Sequence, residues 1–144
     1  MTITATPYSD LDKDTLYDIL RLRSEVFLLE QHIVCQDMDG VDRNAIHVHM
    51  KDNGRVTGYL RVFKDGISVR IGRVAVARER RGENYGAALM RTGIETAQKH
   101  FPGLPVKLHS QEQVVGFYEK CGFRVCSERF MEEGVPHFEM EYVQ

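Results

Sequence analysis

The chain has 144 residues, of which 42 % are hydrophobic and 28 % charged, with a formal net charge of -2. That length suits one domain burying about two-thirds of its unfolded surface, and the near-neutral balance excludes a broad basic face for nucleic acid or anionic membrane. No apolar run reaches a membrane span, the start MTITATPYSD lacks the basic and apolar stretches of a signal peptide, and Cys35, Cys121 and Cys126 show no paired spacing, so a cytoplasmic protein with reduced thiols is expected.

TITATPY has the β-branched content of a first strand. From Asp10 to about Leu29, the residues Leu11, Leu16, Ile19, Leu20, Leu22, Val26 and Phe27 recur near helical period, with one break expected around Ser24. The acidic loop CQDMDGVDRN follows. AIHVHMKDNGRVTGYLRVFKDGISVRIGRVAVA reads as three antiparallel strands turned at Asn53-Gly54 and Asp65-Gly66, pairs that supply the positive φ of tight hairpins. A helix from about Asn84 to His100 carries Ala87, Ala88, Met90, Ile94 and Ala97 on its apolar side and stops at FPG. PVKLHS is a short strand, QEQVVGFYEKCG a helix closed by Gly122 as a left-handed cap, and FRVCSERF with PHFEMEYV a final strand pair. With no repeat, linker or low-complexity tract, residues 1–144 are expected to form a single α+β domain of order β-α-α-β-β-β-α-β-α-β-β.

Between the fourth strand and the following helix lies RERRGENYG. A basic, glycine-bearing turn at that point aims free backbone N–H groups outward, and the helix macrodipole adds partial positive charge, so a phosphate is the expected guest. No Lys-Ser/Thr pair makes it a nucleotide P-loop, and no G-x-G-x-x-G in a parallel βαβ unit makes it a dinucleotide fingerprint. Gly82 and Gly86 let the backbone approach a ligand closely. Among other groupings, His47 and His49 share a strand face without a third metal ligand at convincing spacing. DMDGVD fails the calcium-loop pattern because its glycine comes too early. The acidic loop is expected to help attract a cationic amine, and Cys35 has no paired base.

Arg81-Gly82-Glu83-Asn84-Tyr85-Gly86 resembles the R-x-x-G-x-G/A pyrophosphate motif of the GNAT N-acetyltransferase superfamily, with Asn84 where glycine is usual. QEQVVGFYEKCGF resembles that superfamily's second signature: Phe117, Tyr118, Gly122 and Phe123 match, while Gln111 and Val114 stand at positions where Asn and Ala are common. RSEVFLLEQHIVCQDMDGVD, RIGRVAV, RRGENYGAALM and GVPHFEM resemble the ElaA-like branch, so that the likeness runs from about Leu16 to Met140.

The resemblance implies the acyl-CoA N-acyltransferase fold: a mixed, mostly antiparallel sheet of six to seven strands, with central parallel strands splayed apart and helices on both faces. It implies acetyl-CoA as co-substrate, no metal, and transfer of the acetyl group to a primary amine of a small molecule or peptide; the alternative is a non-catalytic acyl-CoA-binding regulatory module. The main chain of Val74, Ala75 and Val76 would bind the pantetheine arm, and Arg81, Gly82, Glu83, Asn84, Tyr85, Gly86 and Ala87 the diphosphate, with Gln111 and Phe117 also at the coenzyme. Tyr118 would protonate the departing thiolate. The strand SVRIGRVAV lacks the glutamate base of histone-modifying relatives, which leaves Glu30, His109 and His47 as candidate bases. A homodimer is also expected by resemblance.

Overall fold

The computed structural model describes residues 1–143. After β1 (Thr2–Pro7), helix α1 (Lys13–Arg23) begins where the Asp12 carboxylate accepts the Thr15 amide at 2.7 Å, satisfying one of the orphan donors of a helix start. The break expected at Ser24 is a change of helix type. Ser24–Glu30 widens into a π-helix, with the Gln31 amide reaching back five residues to the Val26 carbonyl. β2 (Ile46–Asp52), β3 (Arg55–Asp65) and β4 (Ser68–Val76) form an antiparallel meander. Its first hairpin has φ 53° at Asn53 and 75° at Gly54, the left-handed pair that a two-residue turn demands.

Helix α2 (Tyr85–His100), strand β5 (Val106–Gln111) and helix α3 (Val115–Lys120) follow, then β6 (Phe123–Val125), β7 (Phe130–Glu132) and β8 (Val135–Tyr142). α3 is shorter than the sequence suggests. Glu112–Val114 forms a 3-10 turn, and β-branched Val114 leaves helical space at φ -115°, ψ 11°. Gly122 closes this segment at φ 100°.

The strands form one sheet in the order β1-β2-β3-β4-β5-β8-β6, with β7 also paired to β8. Eight strands replace the expected six to seven because FRVCSERF is two strands. Between them the Ser127 hydroxyl accepts the Glu139 amide at 2.9 Å, taking the place of a ladder carbonyl. α1 packs on one sheet face, where Ile19, Leu22 and Val26 meet Tyr59, Ala75 and Ala77. α2 and α3 cover the other, where Leu89, Met90, Ile94 and Tyr118 meet Val48, Leu60, Ile71 and Leu108. Each fully buried aliphatic side chain here contributes about 1.5–3 kcal/mol.

β4 and β5 are the one parallel pair, joined only at Val69–Val106 and Arg70–Lys107. Beyond those two rungs β4 runs on to Val76 and β5 to Gln111 without pairing, so the sheet opens into a V. A bulge sits at the fork. Tyr59 pairs with Ala75 and Arg61 with Gly72, leaving Arg73 and Val74 opposite Leu60 alone. Arg73 takes φ 53° there. The extra residue shifts the alternation by one, so Ile71, Val74 and Val76 all face α2 while Ala75 and Ala77 face α1.

Candidate active site

A cleft of about 590 Å³ occupies the V. Val74 and Val76 form one wall, Leu108, His109 and Gln111 the other, and Gly82, Asn84, Tyr85, Gly86 and Ala87 its basic end.

Main-chain direction decides which β4 residues can bind a ligand. The Ala77 amide donates to the Thr57 carbonyl at 2.8 Å, so the Ala77 N–H, and by alternation the polar groups of Ala75 opposite Tyr59, point at β3. Val74 and Val76 therefore point theirs across the open gap. This changes the reading of Ala75. Its N–H and C=O belong to the sheet ladder, its side chain is core, and it does not line the cleft.

At the basic end Gly82 has φ 82° and Asn84 has φ 64°, ψ 16°. Asn is the next residue after Gly to visit the left-handed region readily, which is why it serves in this motif. Ala88 donates to the Asn84 carbonyl at 3.2 Å. The amides of Tyr85, Gly86 and Ala87, one turn earlier, have no partner within the helix and open onto the cleft. Gly86 has a second cause. A Cβ there would lie 3.2 Å from Cζ of Phe117, so glycine lets α2 close on α3 as well as on a ligand. Glu83 is exposed and lies outside the cleft lining.

The arginines of this turn are already engaged. Arg80 Nε donates to Asp52 at 2.7 Å. Arg81 Nε donates to the Val76 carbonyl at 3.0 Å, and its terminal nitrogens grip both oxygens of Glu30, one at 2.9 Å. That pairing removes Glu30 from the role of base. The Arg81 hydrogen bonds hold its carboxyl below the usual range, and it does not line the cleft. Next to it Gln31 accepts from the Gln111 amide at 3.0 Å, so two consecutive residues at the end of the π-helix touch the arginine turn before α2 and the β5 wall.

Tyr118 is buried and lines the cleft, its ring edge-on to Phe117 and Phe123. Burial pushes its hydroxyl well above the ordinary value, so it stays protonated and available as a donor at neutral pH. His109 lines the cleft too, but its Nδ1 donates to Glu132 at 2.8 Å and its Nε2 stands 3.4 Å from Glu139. Both ring nitrogens thus face carboxylates, which commits His109 to Glu132 and Glu139 rather than to a substrate proton. His47 is fully buried between the Tyr59 hydroxyl, 2.6 Å, and the Asp42 carbonyl, 2.8 Å, and lies outside the cleft lining.

The acidic loop has a structural cause. Fully buried Arg23 binds Asp37 and Asp42, Arg61 binds Asp39 and Asp42, and Arg73 binds Asp37 and Asp39. Its carboxylates are neutralised from within, so the loop does not serve to attract a cationic amine; the network instead pins the segment carrying Cys35 and Asp37 against the fork. Sequence reading missed Gln31, Asp37, Glu132 and His137, all of which line the cleft. The signal for the last two was Glu133-Gly134 between apolar runs, a hairpin turn at φ 50° and 73° that sets Glu132 near His137.

The same split-sheet architecture occurs in solved structures. An acyl-CoA N-acyltransferase from Pseudomonas aeruginosa is 31 % identical and superposes with a TM-score of 0.93 over 99 % of each chain. Aminoglycoside 6'-N-acetyltransferase, solved with coenzyme A, shares the fold at a TM-score of 0.73 and 16 % identity over 98 % of this chain and 96 % of that one. The chain therefore has the acyl-CoA N-acyltransferase fold. Residues 11–144 match the acetyltransferase (GNAT) domain, and the chain belongs to that family. Within it the chain is similar to protein ElaA of Escherichia coli K12, 38 % identical over 138 residues, covering 92 % of this chain and 90 % of that one. The crystal structure of E. coli ElaA matches with a TM-score of 0.94 over 99 % of this chain and all of that one. No helix among the described residues is long and apolar enough to cross a membrane, and all three cysteines are free.

Proposed function

We propose that this protein is an acetyl-CoA-dependent N-acetyltransferase that moves the acetyl group directly onto a primary amine. One observation carries the reading: the outward main chain of Val74 and Val76 and the unpaired amides at the start of α2 border one cleft. An extended pantetheine arm fits the first as an added strand, and a diphosphate fits the second. The aminoglycoside acetyltransferase solved with coenzyme A supports this, since it holds the coenzyme in the same fold.

When bound, the coenzyme supplies a thioester whose carbonyl carbon an uncharged amine attacks. The chain's own groups serve three tasks around it. The Val76 amide, pointing into the gap, stabilises the carbonyl oxygen as it gains charge. Gln111 and Phe117 line the path of the arm. The Tyr118 hydroxyl hands a proton to the departing sulfur, and the proton lost by the acylated nitrogen leaves to solvent, from which Tyr118 is reprotonated. Three free cysteines and a formal net charge of -2 support a cytoplasmic enzyme acting on small molecules or peptides.

Acetyl-CoA is expected to raise the thermal midpoint, and a primary-amine panel to release free CoA thiol. No midpoint shift at saturating acetyl-CoA overturns the cleft assignment. A shift without thiol release from any amine makes the protein a binding module instead.

A further inference from the structure

The side of the cleft built by β5, β7 and β8 holds a cluster that the transfer chemistry above leaves unused. Glu132 ends β7 and accepts from His109 Nδ1 on β5 at 2.8 Å, and its other oxygen lies 3.5 Å from His137 Nε2 on β8. Three different strands thus meet at one carboxylate. His137 is fixed in turn, because its Nδ1 donates to the Val135 carbonyl at 2.8 Å. Phe130 braces both imidazoles, stacked on His137 at 6.0 Å and edge-on to His109 at 5.0 Å. The following residues, Glu133 and Gly134, both have left-handed φ, which sets the Glu132 end of the hairpin rigidly against the cleft.

His109, Glu132 and His137 line the same cleft as Tyr118 and the fork residues Gly72 and Arg73. The histidines hold the Glu132 carboxyl below its ordinary value, His109 first through its hydrogen bond, with the charge of Arg73 on β4 adding to the effect, so it is ionised at neutral pH. Asp37, another carboxylate of the lining, is neutralised by Arg23 and Arg73. A carboxylate has about four lone-pair sites. The two histidines occupy or face two of them, leaving capacity for a donor from the cleft.

We propose that Glu132, positioned by His109 and His137, is the specificity residue of the acceptor site, and that the acceptors are primary amines which arrive as ammonium ions. The proposal rests on the acetyl-transfer reading above and deepens it. The ammonium places one N–H on each free lobe of Glu132 and gives one proton to water in the cleft before its nitrogen attacks, and Glu133 beside it adds negative charge at the mouth. The imidazoles restrain the carboxylate on its back side, so it presents one geometry to the entering cation.

The test compares two amines of similar size, benzylamine, a cation at neutral pH, and aniline, which is uncharged. In the wild-type protein, thiol release with benzylamine should show the lower KM. Glu132→Gln should raise that KM roughly ten- to a hundredfold, the loss of one charge-assisted contact, while KM for aniline stays within about twofold and acetyl-CoA affinity, read by calorimetry, is unchanged. Glu132→Asp should recover part of the benzylamine affinity. Separately, benzylammonium added to the coenzyme complex should shift the imidazole resonances of His109 and His137, benzyl alcohol should not, and Glu132→Gln should abolish the response. Equal loss with both amines, an unchanged benzylamine KM, or no wild-type resonance shift overturns the proposal. Failure of acetyl-CoA to bind at all is a different result, and it strikes the proposed function itself.

Discussion

Glu30 and Arg81 form a bidentate ion pair beside the turn of residues 82–87, while the same guanidinium holds the Val76 carbonyl at 3.0 Å. One side chain therefore engages both surfaces proposed to bind the coenzyme, the β4 edge and the α2 turn. A diphosphate must compete with the Glu30 carboxylate for Arg81. Glu30→Gln should accordingly tighten acetyl-CoA binding roughly two- to fivefold, the worth of a partly exposed ion pair, whereas Arg81→Glu should weaken it. Calorimetric titration at two salt concentrations checks this. A weaker complex in Glu30→Gln would show that Glu30 assists the coenzyme rather than opposing it.

Tyr118→Phe deletes one oxygen and keeps the ring against Phe117 and Phe123. Turnover should fall about a hundredfold, the lower end of what a positioned acid contributes, with acetyl-CoA affinity and thermal midpoint nearly unchanged. Steady-state and binding measurements on one preparation decide the matter. Unaltered turnover would reduce Tyr118 to a packing residue.

Backbone strain at the diphosphate turn gives a stability prediction. Asn84 holds φ 64° with no side-chain cap bond, so its tolerance of left-handed space is what the position uses. Asn84→Val should cost about 1–2 kcal/mol, lowering the midpoint by about 2–4 °C per kcal/mol in a chain of this size. Asn84→Gly should be tolerated. Scanning calorimetry distinguishes the two, and equal losses in both would point to a side-chain role.

How far the sequence carries toward this structure depends on whether a feature is local. The hairpin at Asn53-Gly54, the helix ending at His100 and the glycine closing α3 are set by neighbours within a few residues, and they lie where the pattern puts them. The Ser127 interruption was not legible, because a hydroxyl replacing a ladder carbonyl depends on Glu139, twelve residues on. In the site, the turn from Gly82 to Ala87 that lines the cleft was readable as one continuous motif. Its partner Glu30 looked like a base because an ion pair spanning 51 positions has no sequence signature. The bulge at Arg73, which decides which main-chain groups of β4 face the gap, shows itself only through the register with β3. Arg23, which the apolar pattern of α1 does not single out, is wholly buried, its charge answered by a loop that cannot be paired with it from spacing alone.

That loop supplies the last prediction. Burial pushes the Asp39 carboxyl up, but the bonds from Arg61 and the Val41 amide, with the charges of Arg61 and Arg73, outweigh it and hold the group at about 2, against an ordinary 3.8. Asp42, bridging Arg23 and Arg61, is lowered as well. Between these values the unfolded chain binds more protons than the folded one, so stability must fall as pH drops through that window. Above the ordinary value the contribution is complete and pH-independent. Asp39→Asn should therefore be less stable than wild type near neutrality, with the difference shrinking as the pH approaches the folded value. Urea unfolding followed from about pH 6 to about pH 2.5 measures it. Parallel curves for the two proteins across the acid limb would mean that the Asp39 pairs with Arg61 and Arg73 contribute nothing to stability, and that the loop is held by the pairs that Asp37 and Asp42 make with Arg23, Arg61 and Arg73.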